Sequence, residues 1–201
     1  LIKERDIENL WGKYEKFVKM TDNENFISFV DNFGQRIVEC SFSQRDKEPF
    51  CGVAGLVEYS LELLKNAKNI ATAIGYEFTT QSLVKTCFLT ELGRIGTFHE
   101  DRLVVCTSDW HKEKLGQYYD WNEECEKYNI QDMSLFHAQR ERINLSWEEW
   151  QAIHLSRDFT SDENRFYSGH RNRLSIIINL AKQVTLKNEF DKIKGIYTVP
   201  F

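Results

Sequence analysis

The chain has 201 residues, 41% of them apolar and 13% aromatic, which is enough for one large domain with its own core and excludes a chain disordered throughout. A formal net charge of -5 excludes a general basic field for collecting nucleic acid, and leaves room only for a local basic patch. The five cysteines, Cys40, Cys51, Cys87, Cys106 and Cys125, form no CxxC pair, so no zinc motif is visible and free thiols in a reducing compartment are expected.

Taken in order, residues 3–20 read as an amphipathic helix, with Ile7, Leu10, Trp11, Tyr14, Phe17 and Val18 on one face. Residues 24–33 read as a short second helix closed by Gly34, and residues 1–34 as a pair of helices packing on the domain of residues 35–201. Residues 40–50 read as a polar loop, and residues 52–74 as a long helix of period 3.6. Thr79 or Thr80 caps the next helix. Glu100 and Asp101, between short apolar runs, suggest a small hairpin around them. Residues 109–122 read as a helical turn and an aromatic loop, and residues 132–144 as a helix. Ser146 and Glu149 form a capping-box pattern opening another, to about Arg157. A polar loop, 158–169, leads to a last helix over residues 171–190. The opening residues are charged and no apolar run is long enough for a bilayer, so a cytoplasmic protein without membrane partners is expected. The expected class is all-α, one helical bundle with a small β-hairpin insertion.

Residues 83–96, LVKTCFLTELGRIG, stand out. Leu83, Val84, Cys87, Phe88 and Leu92 give a buried helical face, and Gly93 and Gly96 stop the helix. The polar pair Thr90 and Glu91 sits where that helix must enter the core, and buried polar groups need partners.

The line FLTELGRIG resembles the metal-site helix of HD-domain phosphohydrolases, whose pattern is apolar-apolar-His-Asp-Leu-Gly-Lys-Ile-Gly. Leu89, Leu92, Gly93, Arg94 (for the usual Lys), Ile95 and Gly96 fit its framework, while Thr90 stands for the His and Glu91 for the Asp. Further stretches resemble the family in the same order: residues 55–60 (GLVEYS), Trp110 with residues 112–116 (KEKLG) and Tyr119, His137 with Arg140, residues 145–153, and residues 167–169 (YSG). The resemblance covers roughly residues 25–190 and is nearest to small phage and bacterial HD proteins. It implies an HD-like bundle whose metal centre has been rewritten. The first family His falls on Tyr59, the His-Asp pair on Thr90 and Glu91, and the last Asp near Lys182. Only Glu91 suits a hard cation; the Lys182 ammonium repels one and is placed to pair with Glu91.

Tyr59, Thr90, Glu91 and Lys182 are thus either a repurposed polar pocket or a neutralised relic. Three readings follow. The first is a catalytically inactive binding or protein-interaction module without cofactor. The second is a metal-dependent phosphohydrolase of nucleotides or nucleic acid with altered ligands: Glu91, His137 and Asp109 or Asp158. The third is a metal-independent nucleotide or phosphate binder. Its anion-binding candidates are Arg94, His137, Arg140, Arg171 and Arg173, with Lys182, Arg142 and Arg165 beside them. His137 is also readable as a hydrogen-bonded structural residue, and the family's next His falls on Ser156 rather than His154. Trp110, Tyr118, Tyr119, Trp121, Trp147 and Trp150 are an aromatic set that either ties loops down or offers a contact face. The first reading is the one the replaced ligand set favours.

Overall fold

The computed structural model describes residues 4–157, 162–167 and 169–195. Within them the chain is mainly helical, with eight α-helices and one two-stranded antiparallel sheet. The helices are α1 (Ile7–Lys19), α2 (Glu24–Glu39), α3 (Gly55–Ala73), α4 (Thr80–Leu89), α5 (Asp109–Leu115), α6 (Ile130–Arg140), α7 (Trp147–His154) and α8 (Arg173–Ile193). The strands are β1 (Leu103–Val105) and β2 (Tyr119–Trp121). A 3-10 turn, Leu92–Ile95, continues α4, and a second spans Asp162–Tyr167.

Most starts are written in local chemistry. Asp6, Asn23, Thr79, Ser108, Asn129, Ser146 and Asn172 each accept a backbone N–H of the helix they precede. Ser146 and Glu149 close the reciprocal capping box, and the Glu149 carboxylate also takes Lys85 at 2.9 Å. α3 is the exception: its cap position, Ala54, has no side-chain bond and sits at φ 57°. The left-handed turn brings Gly55 so close to the Phe50 carbonyl that a Cβ would lie 2.0 Å from it.

α3 and α8 pack along each other at the centre, with α4 and α7 beside them. One core runs through all of these. It includes Leu56, Leu63, Leu83, Phe88, Ile177 and Ile178, and it also takes Tyr14, Phe26 and Phe29 from the first two helices. Tyr14 stacks on Phe88 with ring centroids 4.2 Å apart, and Trp11 stacks on Tyr14 at 5.5 Å.

The structure departs from the sequence expectations at several places; among them, α6 ends at Arg140 rather than at Asn144. α2 does not stop at Gly34; it runs on to Glu39. Gly34 is there for contact, since a Cβ would meet the Trp11 ring at 3.0 Å. Residues 40–50 are not merely a polar loop: Phe42 and Phe50 are buried and pack on Tyr59. No hairpin turns at Glu100 and Asp101. Thr97 and Glu100 close a tight turn through Thr97 N–H to Glu100 O, and β1 pairs instead with β2 beyond α5, Leu103 opposite Trp121. Finally, α7 ends at His154 rather than near Arg157. No helix among the described residues is long and apolar enough to cross a membrane.

Candidate functional site

α4, its 3-10 extension, α6 and α8 bring one carboxylate to the middle of the molecule. Glu91 is 1% exposed. Its Oε1 accepts the Lys182 ammonium at 2.5 Å and the Gln131 amide at 3.1 Å, and its Oε2 accepts Arg94 Nε at 2.7 Å. Lys182 also donates to the Ser156 carbonyl at 3.0 Å, and Arg94 to the Phe42 carbonyl at 2.8 Å. The Arg94 guanidinium lies 3.8 Å over the Phe42 ring, on which Tyr59 is stacked at 4.2 Å. Burial pushes the Glu91 carboxyl up, but the charges and hydrogen bonds of Lys182 and Arg94 outweigh it and hold the group below its ordinary range. Glu91 is therefore a carboxylate with two cations and an amide on it.

Of the four positions the resemblance singles out, Tyr59, Thr90, Glu91 and Lys182, the last two meet directly. Tyr59 lies behind Phe42, close enough to feel the Glu91 charge; burial first, and Glu91 second, push its phenol well up, so it stays neutral. Among the described residues its buried hydroxyl has no hydrogen-bond partner. Thr90 turns its hydroxyl back to the Thr86 carbonyl at 2.7 Å and takes no part in the cluster. Ser156 reaches the cluster through its backbone oxygen; its hydroxyl bonds the Ile153 carbonyl. His154 points elsewhere, stacked on Trp150 at 4.8 Å and 3.8 Å from the Asp132 carboxylate.

The anion-binding candidates do not gather at one mouth. Arg94 is committed to Glu91 and Phe42. His137 is fully buried between Phe29, Phe33 and Phe98, with Nε2 on the Gly96 carbonyl at 2.9 Å, and burial pushes its pKa down so that it is neutral. Arg140 covers the Phe98 ring at 3.6 Å, Arg173 lies over Tyr76 at 5.7 Å, and Arg165 over Phe166 at 5.1 Å. Arg142 is exposed at a left-handed turn, φ 55°. Arg171 precedes α8, whose N-terminus is already served by its own chain: Asn172 Oδ1 takes the Ser175 N–H. Asp109, 91% exposed at its side chain, faces Lys112, and Asp158 lies outside the described residues.

The HD resemblance implies a divalent metal, and the residues present do not fit one. An ammonium occupies the carboxylate's open side, and the neighbouring positions offer a phenol and a back-bonded hydroxyl in place of imidazoles. Among the described residues no three His, Cys, Asp or Glu side chains converge as a metal-binding group. Compared with known proteins, the chain matches no family model, no curated protein and no solved structure.

Sequence reasoning missed Gln131 and the Ser156 carbonyl. Gln131 has no distinguishing mark beyond its place in the first turn of α6, and a backbone oxygen leaves no trace in a side-chain pattern. The aromatic set divides. Tyr119 is at the edge of burial and anchors β2, whereas Trp110 is 59% and Trp147 64% exposed. Trp147, Trp150 and His154 stack in a row along α7 at 5.1 and 4.8 Å.

The orphaned Tyr59 hydroxyl gives a test with an unusual sign. A buried hydroxyl without a partner costs about 1–3 kcal/mol. Tyr59→Phe is therefore expected to raise stability by about 1 kcal/mol in urea denaturation. A loss of stability would mean that the hydroxyl has a working partner.

Proposed function

We propose that this chain is an HD-like helical domain that has given up phosphohydrolase chemistry and acts as a binding or protein-interaction module. The observation that carries the reading is the saturation of Glu91. The one acidic residue kept from the family's ligand set is neutralised by Lys182 and Arg94 and has no free face for a cation. A phosphohydrolase of this type needs a metal to polarise the phosphoryl oxygen and activate water. Nothing in the Glu91 cluster replaces either role: the ammonium is bound, the phenol is neutral and the threonine is turned away.

Support for a binding role comes from the surface. Ile176, Leu180 and Val184 recur every four residues on α8 and are each about two-fifths exposed (40%, 43% and 40%), and Trp147 stands out from α7. Large exposed apolar and aromatic side chains are what interaction surfaces are made of.

Metal analysis of the purified chain, paired with phosphate release from a panel of nucleotides, tests the proposal. The expected result is neither bound metal nor turnover. Stoichiometric Mn, Fe, Zn or Mg with phosphate release overturns it. Lys182→Asp is expected to restore no activity, since the imidazole ligands are still missing; turnover in that variant counts against the reading.

A further inference from the structure

A second feature lies on the other side of Arg94. The end of α2, the 3-10 turn and the β1–β2 sheet enclose a cavity of 250 Å³, into which Arg36, Arg94 and Arg102 all face. Their obligations differ. Arg36 spends one hydrogen on each nitrogen: on Asp101, on the Phe98 carbonyl and on the Ile95 carbonyl. Arg94 spends its Nε and one Nη1 hydrogen. Among the described residues Arg102 is held by its face, 4.2 Å over the Trp121 ring, and its Nε is buried with no hydrogen-bond partner. A guanidinium fork at the wall of a cavity, its plane fixed by an indole and its donors unspent, is ready for an oxyanion.

The charge count agrees. Arg36, Arg94, Arg102 and Lys182 supply four cations in and behind these walls, against three carboxylates, Glu39, Asp101 and Glu91. The excess is one positive charge, inside a chain whose net charge is -5. The rest of the lining is partly apolar, with Ile95, Leu103 and Val104. The size limits the ligand, because small-molecule sites commonly run to about 300–1,000 Å³ and this cavity falls just below them.

The geometry points to a binding site for a small organic phosphate, smaller than a nucleotide, held by Arg102 with Arg36 and Arg94 beside it and its short carbon chain against Ile95 and Leu103. The site needs no metal, and it stands apart from whether the Glu91 cluster is inert.

Isothermal titration of the intact chain at low ionic strength with inorganic phosphate, glycerol 3-phosphate and AMP tests it. Saturable one-site binding is expected for the first two, tighter for glycerol 3-phosphate. Arg102→Gln is expected to weaken both at least tenfold with the circular dichroism and melting temperature unchanged. Arg102→Lys keeps the charge without the fork, and is expected to fall between the two; it serves in place of Arg102→Gln if that variant does not fold. Absence of saturation, or wild-type binding in the Arg102 variants, overturns the site. Tighter binding of AMP than of glycerol 3-phosphate overturns the size assignment. Bound metal with phosphate release would refute the proposed function and leave this result standing, so the two failures are distinguishable.

Discussion

Lys182→Met is expected to destabilise the fold by about 3–5 kcal/mol, the range for removing one partner of a buried ion pair. For a chain of this size that is a fall in melting temperature of roughly 6–20 °C, at about 2–4 °C per kcal/mol. The methionine fills much the same volume, so the loss is electrostatic. Glu91 remains a buried carboxylate with Arg94 and Gln131 alone. The decisive comparison is the double variant. Adding Glu91→Gln takes away the carboxylate that Arg94 still pairs with, and because the groups share one cluster the double loss is expected to be smaller than the sum of the two single losses. A Lys182→Met variant within about 1 kcal/mol of the wild type would show that Arg94 and Gln131 suffice.

The same cluster sets the acid response. The folded-state pKa of Glu91 is depressed below its ordinary value of 4.5. The unfolded chain therefore binds the proton first, and stability falls as pH drops below that value toward the lower folded one. His137 acts in the same direction from higher pH: its folded-state pKa is below 6.5, so its contribution starts to be lost as pH falls through that value. Stability curves against pH should show the Glu91 part shrink in Lys182→Met and the His137 part remain.

The second large effect is expected at Gly93. Its Cβ would lie 2.2 Å from the Ile130 carbonyl and 3.0 Å from both Met133 Cβ and Ser134 N. These are backbone atoms and a side-chain root of α6, and none can swing aside. Gly93 is also gripped on both sides, its N–H donating to Ser134 Oγ at 2.7 Å and its carbonyl accepting from Tyr128 at 2.9 Å. Gly93→Ala must push α6 away, and α6 carries Gln131 to Glu91. A loss of about 3 kcal/mol or more is expected, at the upper end of overpacking costs. Gly34→Ala is the control. It meets only the edge of the Trp11 ring, which can shift, so a loss of about 1 kcal/mol is expected by denaturant titration. Equal effects at the two positions would contradict this account of Gly93.

The helices were largely legible because most write a stripe and several a cap into adjacent residues, as Ser146 with Glu149 and Thr79 before α4 do; α3 has no such cap, and Asn172, which caps α8, reads as part of the last helix in the sequence. What the sequence hid was pairing at a distance. β1 and β2 are three residues each and are separated by α5, so no local turn signal joins them. Phe42 and Phe50 sit among polar neighbours, and the chain turns back through left-handed residues at Phe50, Gly52 and Ala54 before α3 brings Tyr59 against both rings. At the site, Glu91 and Lys182 were paired only through the resemblance, being 91 residues apart in the chain. Arg36 and Arg102 carried no mark at all. Their importance comes from α2 running past Gly34 and from Trp121 arriving on β2, both of which are tertiary facts.

The unbroken course of α2 bears on how this protein can be cut. Trimming the chain at residue 35 would sever a continuous rod within its last five residues, strip the cover from Phe88 and leave Arg36 on a frayed stub. The leading segment is a structural wall of whatever the remainder holds, and shortened versions made for crystallisation or binding assays must begin ahead of Asp6.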